Sequence, residues 1–341
     1  MDEAITGLID RMKEKALRNE RQNKDDLLRI LSLDPKSDES LYLAKAAKEV
    51  ALESTGRKSR IGISIGFDYA PCTMNCKFCS LGERWGLVKG SYVLPIDLVV
   101  KMVKKYSEEG YFQFVLRTTE FFDNELLASY ARAIREHVKG RYILVANTGE
   151  QTLESAKNLK DAGFNAVYHT VRLGEGVDTE FTPEERLESV YNSKKAGLLA
   201  SCGLDPIGPE HTNEEIVEKL EIYREKIEAV AVCTMKRVAV KGTPKYDLGE
   251  ISKERHMQMI AVVRMAMGKR AMVPMHPLNA DGLDWGCNHM SVEIGANPRD
   301  DDMENVKWYP FPPEEVKKLM IEKGFEIGTI DDFRHIMPYN L

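Results

Sequence analysis

Between residues 60 and 300 the chain alternates short apolar runs with amphipathic helical segments, and no boundary-like linker interrupts the pattern. Strand patterns fall at 61–67, 112–116, 142–146, 166–171, 198–204 and 229–233, with two further runs at 270–273 and 290–294. Helical segments lie between them. Two open on explicit start signals: Thr182-Pro183-Glu184-Glu185 and Thr212-Asn213-Glu214-Glu215 both read as capping boxes, and Pro183 suits the first helical position. Strands separated by helices pair in parallel through right-handed crossovers. Six to eight such units in about 240 residues fit one (β/α) TIM-type barrel better than two doubly wound domains. The expected class is therefore α/β. Residues 1–55 read as an N-terminal helical extension, 56–300 as the barrel, and 301–341 as a C-terminal helical segment packing on it.

Charge and hydropathy remove several classes of function. Lys plus Arg is 48 and Asp plus Glu is 54, a formal net charge of −6, which argues against broad nucleic-acid binding. The most apolar stretch, 259–267, is short and contains Arg264, so no membrane span is expected. Met1-Asp2-Glu3-Ala4 lacks the architecture of a signal peptide, and the expected location is cytoplasmic. In that setting the six cysteines point to metal or redox chemistry rather than to a disulfide framework.

Three of them, Cys72, Cys76 and Cys79, fall within eight residues directly after the first strand. In a barrel of this kind that is the end where chemistry sits. Three thiolates on one loop can wrap one metal centre. A [4Fe–4S] cluster normally takes four, so three leave one iron open to a substrate or cofactor. The competing reading is a zinc site completed by a remote Cys287 or histidine. Zinc sites more often use cysteine pairs, which suits this spacing less well.

The Cys72-xxx-Cys76-xx-Cys79 run, with Phe78 before the last cysteine, resembles the signature of radical S-adenosylmethionine (SAM) enzymes. The resemblance implies a [4Fe–4S] cluster whose open iron is chelated by SAM. One-electron reduction then yields a 5′-deoxyadenosyl radical that abstracts hydrogen from an unactivated carbon. Arg117-Thr118-Thr119-Glu120 resembles the family's acidic turn, with Glu120 at the SAM amine.

The likeness narrows to biotin synthase and its relatives. It is carried by Tyr168-His169-Thr170, Glu185-Arg186-Leu187, the segment from Cys202 to Glu210, and Lys241-Gly242-Thr243-Pro244. By position Arg186 resembles a residue near the SAM carboxylate. Thr170 and Arg172 replace an Asn and an Asp near the ribose, and Arg172 is a candidate for the carboxylate, as in the hydrogenase-maturation relatives.

Cys202, Cys233 and Cys287 form a second expectation. Only Cys202 matches a ligand position of biotin synthase's sulfur-donating cluster, and no cysteine stands on the second or third strand. If all three face the barrel's interior or upper mouth, they hold an auxiliary iron–sulfur cluster. The alternative is three unrelated buried thiols.

The leading functional expectation is sulfur insertion at C–H bonds. The resemblance to archaeal-type two-component lipoyl synthases makes a protein-bound octanoyl chain the specific substrate. The implied partners are a lipoyl carrier protein, a second radical SAM protein, and a reductant such as ferredoxin or flavodoxin. Biotin-type insertion is one alternative. Another is a mutase or carbon-skeleton enzyme without sulfur transfer, as in methylornithine synthase. A zinc scaffold is the non-catalytic alternative.

Overall fold

The computed structural model describes residues 1–299 and 312–338. The part of the C-terminal segment between 300 and 311 lies outside the described residues, as do 339–341. Among the described residues, eight parallel strands follow one another around the sheet: β1 Lys58–Gly66, β2 Gln113–Arg117, β3 Ile143–Asn147, β4 Ala166–Tyr168, β5 Leu199–Ile207, β6 Ala231–Lys236, β7 Met275–His276 and β8 His289–Gly295, and a short ninth, Glu326–Ile327, pairs with the start of β1. Their order is β8-β1-β2-β3-β4-β5-β6-β7. A single parallel bridge from Pro274 to His289 joins the two ends. The sheet curls into a TIM-type barrel that is only lightly closed at this seam. The α/β class expected from the alternation is the class observed.

Ten α-helices surround it among the described residues. Three precede the barrel: α1 Glu3–Leu17, α2 Lys24–Leu31 and α3 Asp38–Ser54. Six follow strands: α4 Ile96–Glu108, α5 Asn124–His137, α6 Leu153–Asp161, α7 Pro183–Lys195, α8 Asn213–Glu221 and α9 Lys253–Met267. The last is α10 Pro313–Glu322. The capping box at Thr182 and Glu185 forms as the sequence signals, with Pro183 opening α7.

The role of the N-terminal helices follows from α9. Every residue of α9 from His256 to Met267 is buried. A helix apolar on all sides has to be covered on all sides. The barrel wall covers one side, and α1, α2 and α3 cover the other. The methionines at 257, 259, 265 and 267 are core packing, a use that suits their flexible side chains.

Arg264, also fully buried, ties α9 to the barrel. Its Nε donates to Gly286 O at 2.9 Å, and its Nη1 to Gly268 O at 3.0 Å and Ala271 O at 2.9 Å. Its Nη2 donates to Asn288 Oδ1 at 2.7 Å. With no carboxylate beside it, burial lowers its pKa to about 9.

The seventh strand departs from the sequence reading. Of the run 270–273, residues 271–273 are buried, but the strand proper is Met275–His276. Met272 does join the ladder, donating to Val230 O at 3.0 Å and accepting from Val232 N at 2.9 Å. Pro274 O accepts from Thr234 N at 2.9 Å, yet Pro274 has no N–H to return. The proline interrupts the ladder and moves the regular strand downstream.

The buried histidine of α9 gives a test of this packing. His256 is 3% exposed, with Nε2 3.3 Å from Thr234 O. Burial depresses its pKa to about 4, so it stays neutral in the fold. Between pH 6.5 and 4 the unfolded chain binds the extra proton, so stability falls as pH falls through that window. A shift of this size corresponds to about 3 kcal/mol. Urea midpoints measured from pH 7 to 4.5 should fall less steeply in His256→Gln than in the wild type. Parallel slopes would show that His256 is not the neutral buried base described.

Candidate active site

The loop after β1 carries Cys72, Cys76 and Cys79 across the C-terminal mouth of the barrel. Backbone bonds shape it: Cys72 N donates to Leu81 O at 2.7 Å, and Cys79 N to Cys76 O at 2.9 Å. Asn75 sits at φ +49°, a conformation that asparagine tolerates better than most residues. Neighbouring loops hold the coil in place. Lys77 N donates to Asp178 O at 2.9 Å. Asp68, at the foot of the loop, accepts from Thr119 N at 2.7 Å and Thr119 Oγ1 at 2.5 Å.

All three cysteines line one cavity that runs down into the barrel, and Glu120, Arg172 and Asp205 line it too. Burial pushes the Cys79 thiol up to about 12 and raises Cys72 and Cys76 as well. Thiolate ligation at these positions therefore depends on the charge of the metal centre itself. The residues fit such a centre. Three soft ligands share one loop and one cavity, and two buried polar atoms beside them make no hydrogen bond: Arg172 Nη1, which lies 3.8 Å from Glu175 Oε2, and Asp205 Oδ1. A guanidinium donor and a carboxylate acceptor so placed suit the carboxylate and amine or hydroxyl groups of a zwitterionic cofactor.

Arg186 takes a different position from the one the sequence reading gave it. It does not line the cavity; it is fully buried behind it. It meets Glu120 at 2.9 Å, Glu150 at 2.5 Å and Glu175 at 3.3 Å. These carboxylates come from the loops after β2, β3 and β4. Gly149 permits the close approach, since a Cβ there would lie 1.8 Å from Glu120 O. His169 Nε2 lies 3.1 Å from Glu150. Burial raises the Glu150 pKa, but His169 and Arg186 outweigh it and the net shift is downward. Arg186 is thus a positioning residue that fixes Glu120 at the mouth. Thr170 is also displaced from its expected role: its hydroxyl donates to Gly203 O at 2.8 Å within the wall and does not line the cavity.

Strand register decides the second cysteine set. Cys233 pairs with Gly203, and Cys202 with Val232. Lateral partners in a sheet face the same way, and successive residues face opposite ways. Gly203 faces inward, because a Cβ there would meet Tyr168 Oη and Asp205 Oδ2. Cys233 therefore faces inward, while Cys202 and Val232 face the helices. Cys202 Sγ donates to His169 O at 3.5 Å. Cys287 precedes β8 at the opposite end from the mouth, with Sγ 3.1 Å from His289 O. The expectation that all three face the interior or upper mouth is corrected by this geometry, and they do not fit as one ligand set. On β5 the inward position next to Cys202 is Ser201.

Below the mouth the interior carries a charged cluster set among apolar side chains such as Val115, Val145 and Met235. Glu293 on β8 is gripped by Arg117 and Arg299, with His276 Nδ1 at 3.5 Å. Burial opposes its ionisation, but Arg299, His276 and Arg117 outweigh it and hold its pKa well below the usual range. Tyr168 Oη donates to Asp205 Oδ2 at 2.8 Å. The sequence reading missed Glu293 and Arg299. Alternation along 289–295 would have placed Glu293 on the same face as Ser291, the one signal available.

A light parallel barrel with a three-cysteine loop over a charged cavity defines a class of metal-dependent α/β enzyme. The profile of the Radical SAM superfamily matches residues 69–251, more than half of the chain, and the chain belongs to that superfamily. It is 28% identical over 294 residues to a biotin synthase of Acetivibrio thermocellus, covering 79% of this chain and 88% of the relative. It is 24% identical over 342 residues to that of Clostridioides difficile, covering 94% and 99%. Among solved structures, methylornithine synthase superposes with a TM-score of 0.80 at 19% identity, covering 95% of this chain and 99% of the other. The hydrogenase maturase HydG of Carboxydothermus hydrogenoformans gives 0.74 at 16% identity, covering 98% and 87%. These structural likenesses concern the fold. Membership of the superfamily implies SAM as a substrate, a [4Fe–4S] cluster and a source of electrons.

The Arg186 cage yields the prediction for this site. Arg186→Gln leaves three carboxylates facing one another, and breaking a buried ion pair in this way costs about 3–5 kcal/mol. Thermal unfolding of the variant should show a clear loss of stability, and equilibrium dialysis should show weakened SAM binding. A variant as stable as the wild type would mean that the carboxylates do not depend on Arg186.

Proposed function

We propose that this radical SAM enzyme abstracts hydrogen from a small, polar, charged substrate held inside the barrel, without sulfur supplied by a second cluster on this chain. A [4Fe–4S] cluster with SAM at its open iron supplies, on one-electron reduction, a 5′-deoxyadenosyl radical. The remaining work falls to the chain's own residues. Cys72, Cys76 and Cys79 would hold the cluster. Glu120, fixed by Arg186, accepts from the SAM amine, and Arg172 meets the SAM carboxylate through Nη1, which makes no hydrogen bond within the protein. Asp205, oriented by Tyr168, accepts from a hydroxyl or amine at the base of the same site. The Glu293 group with its two arginines orients the substrate and excludes bulk water. A ferredoxin or flavodoxin suits the need for a one-electron donor.

The observation that carries this reading is the register of β5 and β6. It turns the Cys202 thiol toward His169 O in the wall, although the residue still borders the cavity, and it leaves arginine, glutamate, histidine and tyrosine beside valine, alanine and methionine around the space below the mouth. The charged part of this lining suits a zwitterion or carboxylate, whereas an octanoyl chain would leave those groups without partners. It supports mutase or carbon-skeleton chemistry over lipoyl formation. A second reading, sulfur insertion, rests on the biotin synthases among the sequence relatives. It requires a sulfur source other than a cluster shared by Cys202, Cys233 and Cys287. A lipoyl carrier protein and a second radical SAM partner belong to that reading.

Two measurements separate these readings. Anaerobically reconstituted protein should hold about four irons, falling to none in the Cys72/Cys76/Cys79→Ala variant, which should also make no 5′-deoxyadenosine from SAM and dithionite. The Cys202→Ala and Cys287→Ala variants should each keep the wild-type iron content. About eight irons in the wild type, with loss on either single substitution, would restore the auxiliary cluster and with it sulfur insertion.

A further inference from the structure

The lower part of the barrel holds polar groups that neither the cysteine loop nor the Arg186 cage uses. They converge at Gly62 on β1. A Cβ built there would lie 2.9 Å from His289 Nε2, 3.1 Å from Gln113 Nε2 and 3.5 Å from Ser291 Oγ. The three side chains come from β2 and β8, and all line the same cavity as the cysteines. Gly62 stands four residues before the end of β1, so this point lies about 13 Å below the strand end that launches the cysteine loop.

The state of His289 follows from its neighbour. The residue is 3% exposed, and its Nδ1 lies 3.0 Å from Arg60 Nη2. A guanidinium only donates, so Nδ1 accepts and the imidazole hydrogen sits on Nε2. That Nε2 faces the cavity and has no hydrogen-bond partner. A buried donor without an acceptor is costly, so such a position marks a place built to receive one. The Gln113 amide nitrogen and the Ser291 hydroxyl add two further donors aimed at the same point. The positive charge of Arg60 stands directly behind the imidazole. Convergent donors backed by a cation favour an anion over an amine.

We propose that His289, Gln113 and Ser291 form a distal subsite that binds a carboxylate at the end of the substrate remote from the cysteine loop. Gly62 keeps the space open for it. This deepens the reading of a small polar substrate and rests on it. The substrate then reaches down the barrel with its far end fixed, leaving its reactive carbon near the mouth. His289 and Gln113 become determinants of specificity.

The test is isothermal titration, under anaerobic conditions and without reductant, of reconstituted enzyme saturated with SAM. The probes are the straight-chain dicarboxylates from succinate to suberate, with 1,5-diaminopentane as a donor-only control. At least one dicarboxylate should bind the wild type and the diamine should not. His289→Leu should weaken that binding about ten-fold, the scale of one lost hydrogen bond. His289→Gln, which keeps an N–H donor, should recover part of it, and Gly62→Ala should block it. Gln113→Leu, on a different strand, supplies an independent reading if the His289 variant unfolds in thermal melts. The subsite is overturned if no dicarboxylate binds, if the diamine binds as well, or if folded variants bind the diacid as the wild type does. The last result would assign these donors to structural water. Because binding is read without reductant, a wild type that cleaves SAM but binds no diacid removes the subsite alone.

Discussion

One buried guanidinium organises the working end of this barrel. Arg186 meets three carboxylates, each delivered by a different βα loop, in a place with no access to solvent. Three carboxylates brought together without a cation would repel strongly at low dielectric. With Arg186 present, the same charges draw the loops after β2, β3 and β4 into one arrangement. Glu120 reaches the cavity only because this arrangement holds. The interaction is architectural: it ties three βα loops together near the mouth and sets the direction of Glu120. Such a group is better judged by what it positions than by net stability, since desolvation consumes much of the Coulombic gain.

The same separation of scaffold from cavity runs through the rest of the molecule. On the outside, α9 is buried on every side and needs α1 to α3 as a cover, with Arg264 stitching its end to the strands through backbone carbonyls. On the inside, the strands present charged and hydrogen-bonding groups that are only partly satisfied by one another. Buried polar atoms without partners are uncommon in folded proteins. Several of those in this structure belong to residues that line one cavity, among them Arg172 Nη1, Asp205 Oδ1 and His289 Nε2, while others such as Gln22 Oε1 and Tyr106 Oη lie elsewhere. That distribution is expected where ligands complete the hydrogen bonding, and it gives a physical reason to place both cofactor and substrate within the barrel.

Likeness to biotin synthases covers 79% of the chain at 28% identity in one relative and 94% at 24% in another. Cys202 lies one residue away from an inward position, and in a strand one residue is the difference between cavity and wall. Relationship in sequence therefore carries the superfamily and its radical chemistry. What the enzyme does with that radical is set by the residues that actually face inward.

Several features were legible without coordinates because they are local. The βα alternation, the capping box at Thr182, the N-cap at Thr212 (where Glu215 turns to Gly174 N instead of closing a box), and the spacing of Cys72, Cys76 and Cys79 each depend mainly on neighbours a few residues apart. Together they specify a barrel with a metal-binding loop at its mouth. The structure had to decide matters that depend on long-range register and packing. Arg186 reads as a cofactor contact in sequence and becomes a buried positioning residue, because three loops converge on it. Thr170 turns its hydroxyl into the wall, where Gly203 O accepts it. Cys202, Cys233 and Cys287 read as one set and separate, because facing depends on which residue of β5 pairs with which residue of β6. Periodicity along a strand identifies two faces, and only the pairing of strands and the closure of the sheet determine which of them becomes the inside.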